Sequence, residues 1–515
     1  MQKQVDEDLA GFGYKQELDR SIGRFSSFAA GVSYISILTG TFQLFYFGYG
    51  TAGPAYLWSW PVVFAGQLMV ALCFAELAGR YPVAGSIYNW AKRLSNPTTS
   101  WMAGWMMLTA SVVTLAATAL AYQTTLPRIW SGFQVYGDGT GEYDFAVNAV
   151  ILASALILFT TVVNAVGVRL MARINSTGVA VELVAAVVIV VVFVASLRRG
   201  PAALLETNGT EAGHSIGYLG AFLAAALASG YVMYGFDTAS SLGEETHAPR
   251  RTAPRAILLA VTASFVLGGL ILFGGVLAAP SITDPELSSA SGGLQYVLLS
   301  ITGSAAGTLL LVCIVVAITV CCLAVHTATI RTMFAMARDN NLPAGTALAR
   351  VHPRYKTPVV PAVVVGVLAI AVLLVNIRQP QIFTVLTSIA VIMIYLAYLL
   401  VTLPMLVKRL RGEWASEEAR AAGWFSLGRF GLPVNVLAVL WGAGMALNLA
   451  WPRREVYNAT EPHHWYLQWG AFVFIGAIAL GGLGWYLLVQ RHRSGILADH
   501  ALVPAGHPDE LPAQA

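Results

Sequence analysis

Apolar residues gather along the chain into runs near or above the roughly 18 to 20 residues that a helix needs to cross a hydrocarbon core, with short polar connections between them. The pattern predicts twelve spanning helices, at 26–50, 57–79, 100–126, 145–166, 173–196, 218–241, 256–279, 304–330, 359–376, 381–407, 433–451 and 466–489. Ahead of them, 1–25 mixes Asp6, Glu7, Asp8, Lys15, Glu17 and Arg20 with no apolar core, so it reads as a tail and not as a cleaved signal peptide. The segment 490–515 reads as a second tail.

Composition supports the same picture. Of 515 residues 57% are apolar and only 11% charged, against roughly a quarter charged in soluble domains. Such a chain cannot coat itself with a water-soluble surface, so its surroundings are the lipid bilayer. With the N-terminus inside, roughly four-fifths of the 30 Lys and Arg residues fall on the cytoplasmic side, the side on which insertion concentrates them. Both termini are therefore expected in the cytoplasm of a plasma-membrane protein, with 281–303 external and 339–357 cytoplasmic. The net charge of +4 follows from this loop bias and does not mark a nucleic-acid surface. Cys73, Cys313, Cys321 and Cys322 all sit inside spans without metal-site or disulfide spacing, and read as packing residues.

Two spans are interrupted. In lipid every backbone polar group needs an internal partner, so breaks at membrane depth occur where they line a cavity or site. The first span holds a hydroxyl-rich patch, Ser33-Tyr34-Ile35-Ser36-Ile37-Leu38-Thr39-Gly40-Thr41. The sixth holds Ala228-Ser229-Gly230-Tyr231-Val232-Met233-Tyr234-Gly235-Phe236-Asp237-Thr238. Either patch alone reads equally well as small residues allowing close helix packing. First and sixth, however, are equivalent places in two five-helix halves of opposite topology, and matched interruptions mark the binding site of a secondary transporter.

Four motifs carry a family resemblance over almost the whole chain. They are Ser36-Ile37-Leu38-Thr39-Gly40, then Ala75-Glu76-Leu77 with Tyr81-Pro82-Val83-Ala84-Gly85-Ser86-Ile87-Tyr88-Asn89-Trp90, then Arg173-Ile174-Asn175 with Gly178-Val179 and Glu182-Leu183. The fourth is Tyr234-Gly235-Phe236-Asp237-Thr238-Ala239, leading into Glu244-Glu245-Thr246 and Ala253-Pro254-Arg255-Ala256-Ile257. In this order the chain resembles the amino acid–polyamine–organocation transporters, and within them the amino acid/choline branch. The resemblance implies an all-α integral membrane fold of the bacterial leucine transporter type. Its inverted-repeat core would fill 26–407, as 26–196 and 218–407, with helices 1 and 6 broken and two accessory helices in 433–489. It also implies a permease for amino acids or small amines such as 4-aminobutyrate, with choline, ethanolamine or polyamine transport, or amino-acid exchange, as alternatives.

A broken helix offers freed amides to an anion and freed carbonyls to a cation. A substrate carboxylate is accordingly expected on amides around Ile37, Leu38, Thr39, Gly40 and Thr41. Its ammonium is expected on carbonyls near Ser33 to Ser36 and near Ala228, Ser229, Gly230 and Tyr231. Tyr231, four residues before Gly235 and five before Phe236, stands where related transporters place an aromatic gate, or else has an ordinary packing role. Asp237 matches a family acidic position linked to gating and proton sensing. Glu182 stands where wider relatives often carry a lysine; burial disfavours the charged form of a carboxylate, so it is either the proton carrier or a partner for a helix 8 polar group. His326 reads as a titrating group or a satisfied core histidine. Glu76 and the Glu244-Glu245 run, with Arg250, Arg251 and Arg255, read as ion pairs of an inner gate.

The chain contains no phosphate-binding Gly-x-x-x-x-Gly-Lys-Ser/Thr loop. A gradient, of protons rather than sodium, or exchange is therefore expected to drive transport, with no cofactor and no bound metal. The repeated pore loop or charge ring of a channel is missing, and so is the paired-ligand spacing of a membrane enzyme.

Overall fold

A helix meets its own backbone hydrogen-bonding needs in lipid, and the computed structural model takes that solution almost throughout. It describes residues 13–502 apart from 19, 142, 376, 378–381, 415–418, 420, 459–460 and 462. The outer parts of both predicted tails, 1–12 and 503–515, the last residue of the ninth predicted span and the first residue of the tenth lie outside the described residues.

The first span is two helices, α1 (Arg24–Ile35) and α2 (Ile37–Ala52), meeting at Ser36. Then come α3 (Ser59–Arg80), a short amphipathic α4 (Ser86–Leu94), α5 (Pro97–Ala119) with its continuation α6 (Ala121–Ile129), α7 (Asp144–Val166) and α8 (Val168–Ala195). The sixth span is α9 (Tyr218–Val232), a break, and the single turn α10 (Thr238–Ser241). After it follow α11 (Pro249–Ala278), α12 (Gly293–Arg338), α13 (Val359–Val375), α14 (Ile382–Leu410), α15 (Gly431–Ala450) and α16 (Gly470–Leu488). Among the described residues ten helices are long and apolar enough to cross a membrane. The broken sixth span and the 17-residue α13 account for the other two expected crossings.

Two boundaries differ from the sequence reading. Helix α11 begins at Pro249, not near 256, because proline at the first helical position has its φ preset and lacks only an N–H that would be unpaired there anyway. Helix α12 runs well beyond 304–330 at both ends, bending at Gly303, which has φ 72° and ψ −178°. The second half of the connection read as 281–303 is thus helical.

Helix α2 lies along α9, α1 and α3 along α11, and α12 between α5 and α8, so the two broken spans occupy the middle of the bundle. There they are buried, whereas α8, α11 and α16 present Val184, Val191, Leu259 and Leu480 outward at 58–73% exposure. Lipid is the surrounding that makes such a surface stable.

At the end of the bundle that carries both termini, the two tails cross. Leu502 N–H donates to Gly13 O (2.9 Å) and Lys15 N–H to His500 O (3.2 Å), while Ile22 N–H donates to Glu245 O (2.9 Å). His500 Nδ1 bonds the half-buried Glu17 carboxylate. Burial there opposes ionisation, but the hydrogen bond and charge of His500 outweigh it and hold the Glu17 carboxyl below its usual range.

Candidate functional site

The break in the first span is one residue wide. Ser36 adopts φ 40°, ψ 98°, a left-handed conformation that a non-glycine residue holds only at a cost. The turn frees the amides that begin α2, and they already have partners. Glu182, reaching in from α8, accepts the Leu38 N–H (3.1 Å) and the Ser36 hydroxyl (2.9 Å) through Oε1. The Ser36 hydroxyl oxygen accepts the Thr39 N–H (3.3 Å) and lies 2.6 Å from the Thr39 hydroxyl. Gly40 N–H returns to Ser36 O (3.0 Å), and the Thr41 hydroxyl bonds back to Ile37 O (2.5 Å).

Glu182 therefore sets its carboxyl at the start of the half-helix where a substrate carboxylate is expected. Its side chain is fully buried. Its second oxygen, Oε2, is buried without a hydrogen-bond partner among the described residues. On the other side of the break, Ser33 donates to Asn175 Oδ1 of α8 (2.6 Å), joining the first-span patch to the α8 motif, and the Cys321 thiol of α12 approaches Tyr34 O at 3.5 Å.

The second break runs from Met233 to Asp237. Gly235 sits at its centre with φ 85°, and a Cβ built there would lie 1.8 Å from the Tyr34 ring. Only glycine lets the two breaks come this close. The freed Gly235 N–H donates to the Tyr398 hydroxyl (3.0 Å), and that hydroxyl donates to Asp237 Oδ1 (2.6 Å). Ser86 of α4 donates to Asp237 Oδ2 (3.1 Å) and lies 2.9 Å from Ser241. Asp237 thereby ties the broken sixth span to α14 and to the hairpin after α3. Tyr398 is a residue that sequence reasoning missed, since a tyrosine inside an apolar run carries no local signal.

Tyr231, on the last turn of α9, donates its hydroxyl to Gln43 Oε1 of α2 (3.2 Å) and lies 3.2 Å from the Thr118 hydroxyl of α5. Gln43 and Thr118, also missed, thus share a buried polar junction with it. Gly40, Thr41 and Ser229 border a separate space of about 10 Å³, about one water in size. The residues of both breaks, Ser36, Phe236 and Asp237 among them, are buried. Gly40 permits the close approach of α2 to α9, since a Cβ there would lie 2.7 Å from Val232.

Other predicted residues lie elsewhere. Gly230 faces Met445 and Tyr395, and Phe236 packs with Phe74 and Tyr398 at ring distances of 5.9 and 5.7 Å. His326 bridges α7 and α13, with Nε2 3.0 Å from Ala362 O and Nδ1 3.0 Å from the Thr160 hydroxyl. A carbonyl can only accept, so Nε2 carries hydrogen. The structure does not bring His326 together with Glu182 and Asp237.

The acidic run closes the terminus-bearing end, with partners other than those expected. Glu244 pairs with Arg338 (2.8 Å) and Glu245 with Arg331 (2.8 Å), all four side chains buried. Both arginines come from α12 and present two nitrogens each, the fork geometry that suits a buried carboxylate. Arg250 instead donates to the carbonyls of Gly79 and Arg80. Glu76 pairs with Arg409 of α14 and accepts from Trp414 and Ser426. Asp339 receives the hydroxyls of Tyr14 (2.8 Å) and Tyr88 (2.7 Å) and pairs with Lys92 (2.7 Å).

Comparison with known proteins agrees with this architecture. The amino acid permease family model matches residues 22–478. The chain is 28% identical over 504 residues to the amino-acid permease BAT1 homolog of Oryza sativa subsp. japonica, covering 94% of each chain. It is 26% identical over 504 residues to amino-acid permease BAT1 of Arabidopsis thaliana, again covering 94% of each. To the branched-chain amino acid permease BcaP of Bacillus subtilis it is 27% identical over 376 residues, 70% of this chain and 75% of the relative.

Proposed function

Because the chain belongs to the amino acid permease family, we propose that it carries an amino acid or a related small amine such as 4-aminobutyrate across the plasma membrane by alternating access, driven by a proton gradient. The observation that carries this reading is the seat of Glu182 on the Leu38 amide. Two charged carboxylates repel strongly at the end of one half-helix, so a substrate carboxylate arriving there favours the protonated form of Glu182. The otherwise unpartnered Oε2 is the atom that takes the proton. By linkage, protonation of Glu182 raises the affinity for substrate as much as substrate raises the affinity for the proton. Proton and substrate then travel together. The burial of Ser36, Phe236 and Asp237 supports alternating access, since the bundle must open before a substrate reaches either break.

A second reading draws on the same contact. If Glu182 stays ionised on Leu38, the site holds an anion and suits a cation without a carboxylate, such as choline, ethanolamine or a polyamine. Thermal unfolding of the purified protein separates the two, because a ligand that binds the native state raises its midpoint. Stabilisation by 4-aminobutyrate or a standard amino acid and not by choline supports the first reading, and the reverse overturns it.

Tyr231 is the proposed gate. Tyr231→Ala is expected to weaken substrate binding by more than about tenfold, or about 1.4 kcal/mol. Tyr231→Phe keeps the ring and should bind within a few-fold of the parent, with its cost showing in stability because Gln43 Oε1 loses a donor. Equal loss of binding in both variants, measured by ligand titration, would make the hydroxyl the recognising group and retire the gate.

Both termini are placed in the cytoplasm on the charge count. Cysteines introduced at the exposed positions Ser288 and Arg354, on a background lacking the four native ones, are expected to label from outside and inside respectively. Labelling of both from outside would overturn the orientation.

A further inference from the structure

At the end of the bundle that carries both termini, a groove of about 880 Å³ lies between the start of α1, the start of α11 and the connection before α15. Its walls include Arg24 in the first turn of α1, Arg250, Arg251 and Arg255 in the first two turns of α11, and Trp424 from the connection before α15. Among the described residues no acidic side chain lines it. Arg250 is held in place, bonded to Gly79 O and Arg80 O and stacked 3.9 Å above Trp424. Arg24, Arg251 and Arg255 are exposed, and among the described residues none of the three is in an ion pair.

The face of α11 continues this pattern into the bilayer. Arg251, Arg255 and Leu259 follow at four-residue spacing, and Val266 and Leu270 extend the same stripe. Leu259 is 58% exposed and Val266 and Leu270 each 47%. Two cations at the helix start, where the peptide dipoles add positive potential, therefore lead into an apolar track pointing toward the membrane interior. An ammonium-bearing zwitterionic headgroup would find no carboxylate among the described residues here, whereas a headgroup of net negative charge finds several guanidinium donors. Basic pockets between helices at the bilayer surface take anionic headgroups for this reason.

We propose that this groove binds one anionic phospholipid, its phosphate held by Arg251 and Arg255 with Arg24 across the groove, and an acyl chain lying along Leu259, Val266 and Leu270. The lipid would span α1, α11 and the connection before α15. The site holds whichever solute the carrier moves and whichever side of the membrane this end faces.

The test is thermal unfolding of the detergent-purified full chain during titration with dioleoylphosphatidylglycerol, dioleoylphosphatidylcholine or inorganic phosphate. The phosphatidylglycerol is expected to raise the midpoint saturably, and the other two to leave it unchanged. The double variant Arg251→Gln/Arg255→Gln is expected to lose that shift, while Arg354→Gln, exposed elsewhere at the same end, keeps it. Because both groove arginines are exposed, the double variant should fold, and native mass spectrometry of the same samples counts bound lipid independently of stability. An equal shift with phosphatidylcholine overturns the charge recognition. A shift with inorganic phosphate makes this a free-anion site and overturns the lipid assignment. Retention of the shift and of bound phosphatidylglycerol by the double variant overturns the location.

Discussion

Glu182→Gln is expected to leave substrate exchange running while abolishing uptake against a gradient. The amide oxygen of glutamine can still accept the Leu38 N–H and the Ser36 hydroxyl that Glu182 Oε1 now holds, so the start of α2 keeps its partner. The side-chain volume is nearly unchanged. What disappears is the negative charge, and with it the competition that ties substrate binding to proton binding. Exchange should stay within about threefold of the parent, a barrier change under about 1 kcal/mol. Uptake in vesicles with an imposed pH gradient should lose most of its pH dependence. Asp237 is the rival carrier. Both its oxygens already receive hydroxyls, from Tyr398 and Ser86, so Asp237→Asn places an amide against a donor, at a cost of about 1–3 kcal/mol. If Asp237→Asn shows uncoupled exchange and Glu182→Gln concentrates substrate normally, the roles assigned here are reversed.

Gly235→Ala is expected to eliminate transport and lower stability together. A left-handed backbone costs a residue with a Cβ about 1–2 kcal/mol, and at φ 85° this residue would also drive a methyl to 1.8 Å from the Tyr34 ring. Tyr34 cannot retreat freely, because it lies beside the Ser36 turn and packs edge-on against Tyr234 at 6.1 Å. The methyl must push the two breaks apart, and overpacking of this kind costs about 1–3 kcal/mol more. Gly484→Ala on α16, where a Cβ meets nothing within 4 Å, is the matched control and should transport normally. Transport by Gly235→Ala at parental rate would show that the contact between the breaks is dispensable.

The spans were legible because an apolar run long enough to cross lipid is itself the requirement for crossing, and no tertiary information is needed to see it. The break in the sixth span was legible through Gly235, whose conformation no other residue accepts cheaply. In the first span the patch Ser33 to Thr41 did not single out the turning residue. Gly40 serves the close contact with Val232, and the turn falls on Ser36, where a hydroxyl and a distant carboxylate compensate the strain. That Glu182 is buried could be argued from sequence, but its place on the Leu38 amide depends on how α8 crosses α2. The acidic run shows the same limit. Arg250, Arg251 and Arg255 are its neighbours in sequence, yet its partners Arg331 and Arg338 come from α12, about 90 positions away. A signal for them was present: the two arginines stand seven apart on one helical face, and each needs a buried counter-charge.

The most direct test of the central claim is the number of protons taken up when substrate binds. Purified protein in weakly buffered detergent solution, titrated with a carboxylate-bearing substrate while pH is followed with an indicator dye, is expected to take up close to one proton per substrate near neutral pH, as linkage requires when one group changes its protonation on binding. Glu182→Gln is expected to bind the same substrate and take up none. Parental proton uptake by Glu182→Gln, or saturating substrate binding to the parent with no proton uptake across the neutral range, would contradict the assignment of Glu182 as the group that couples the two.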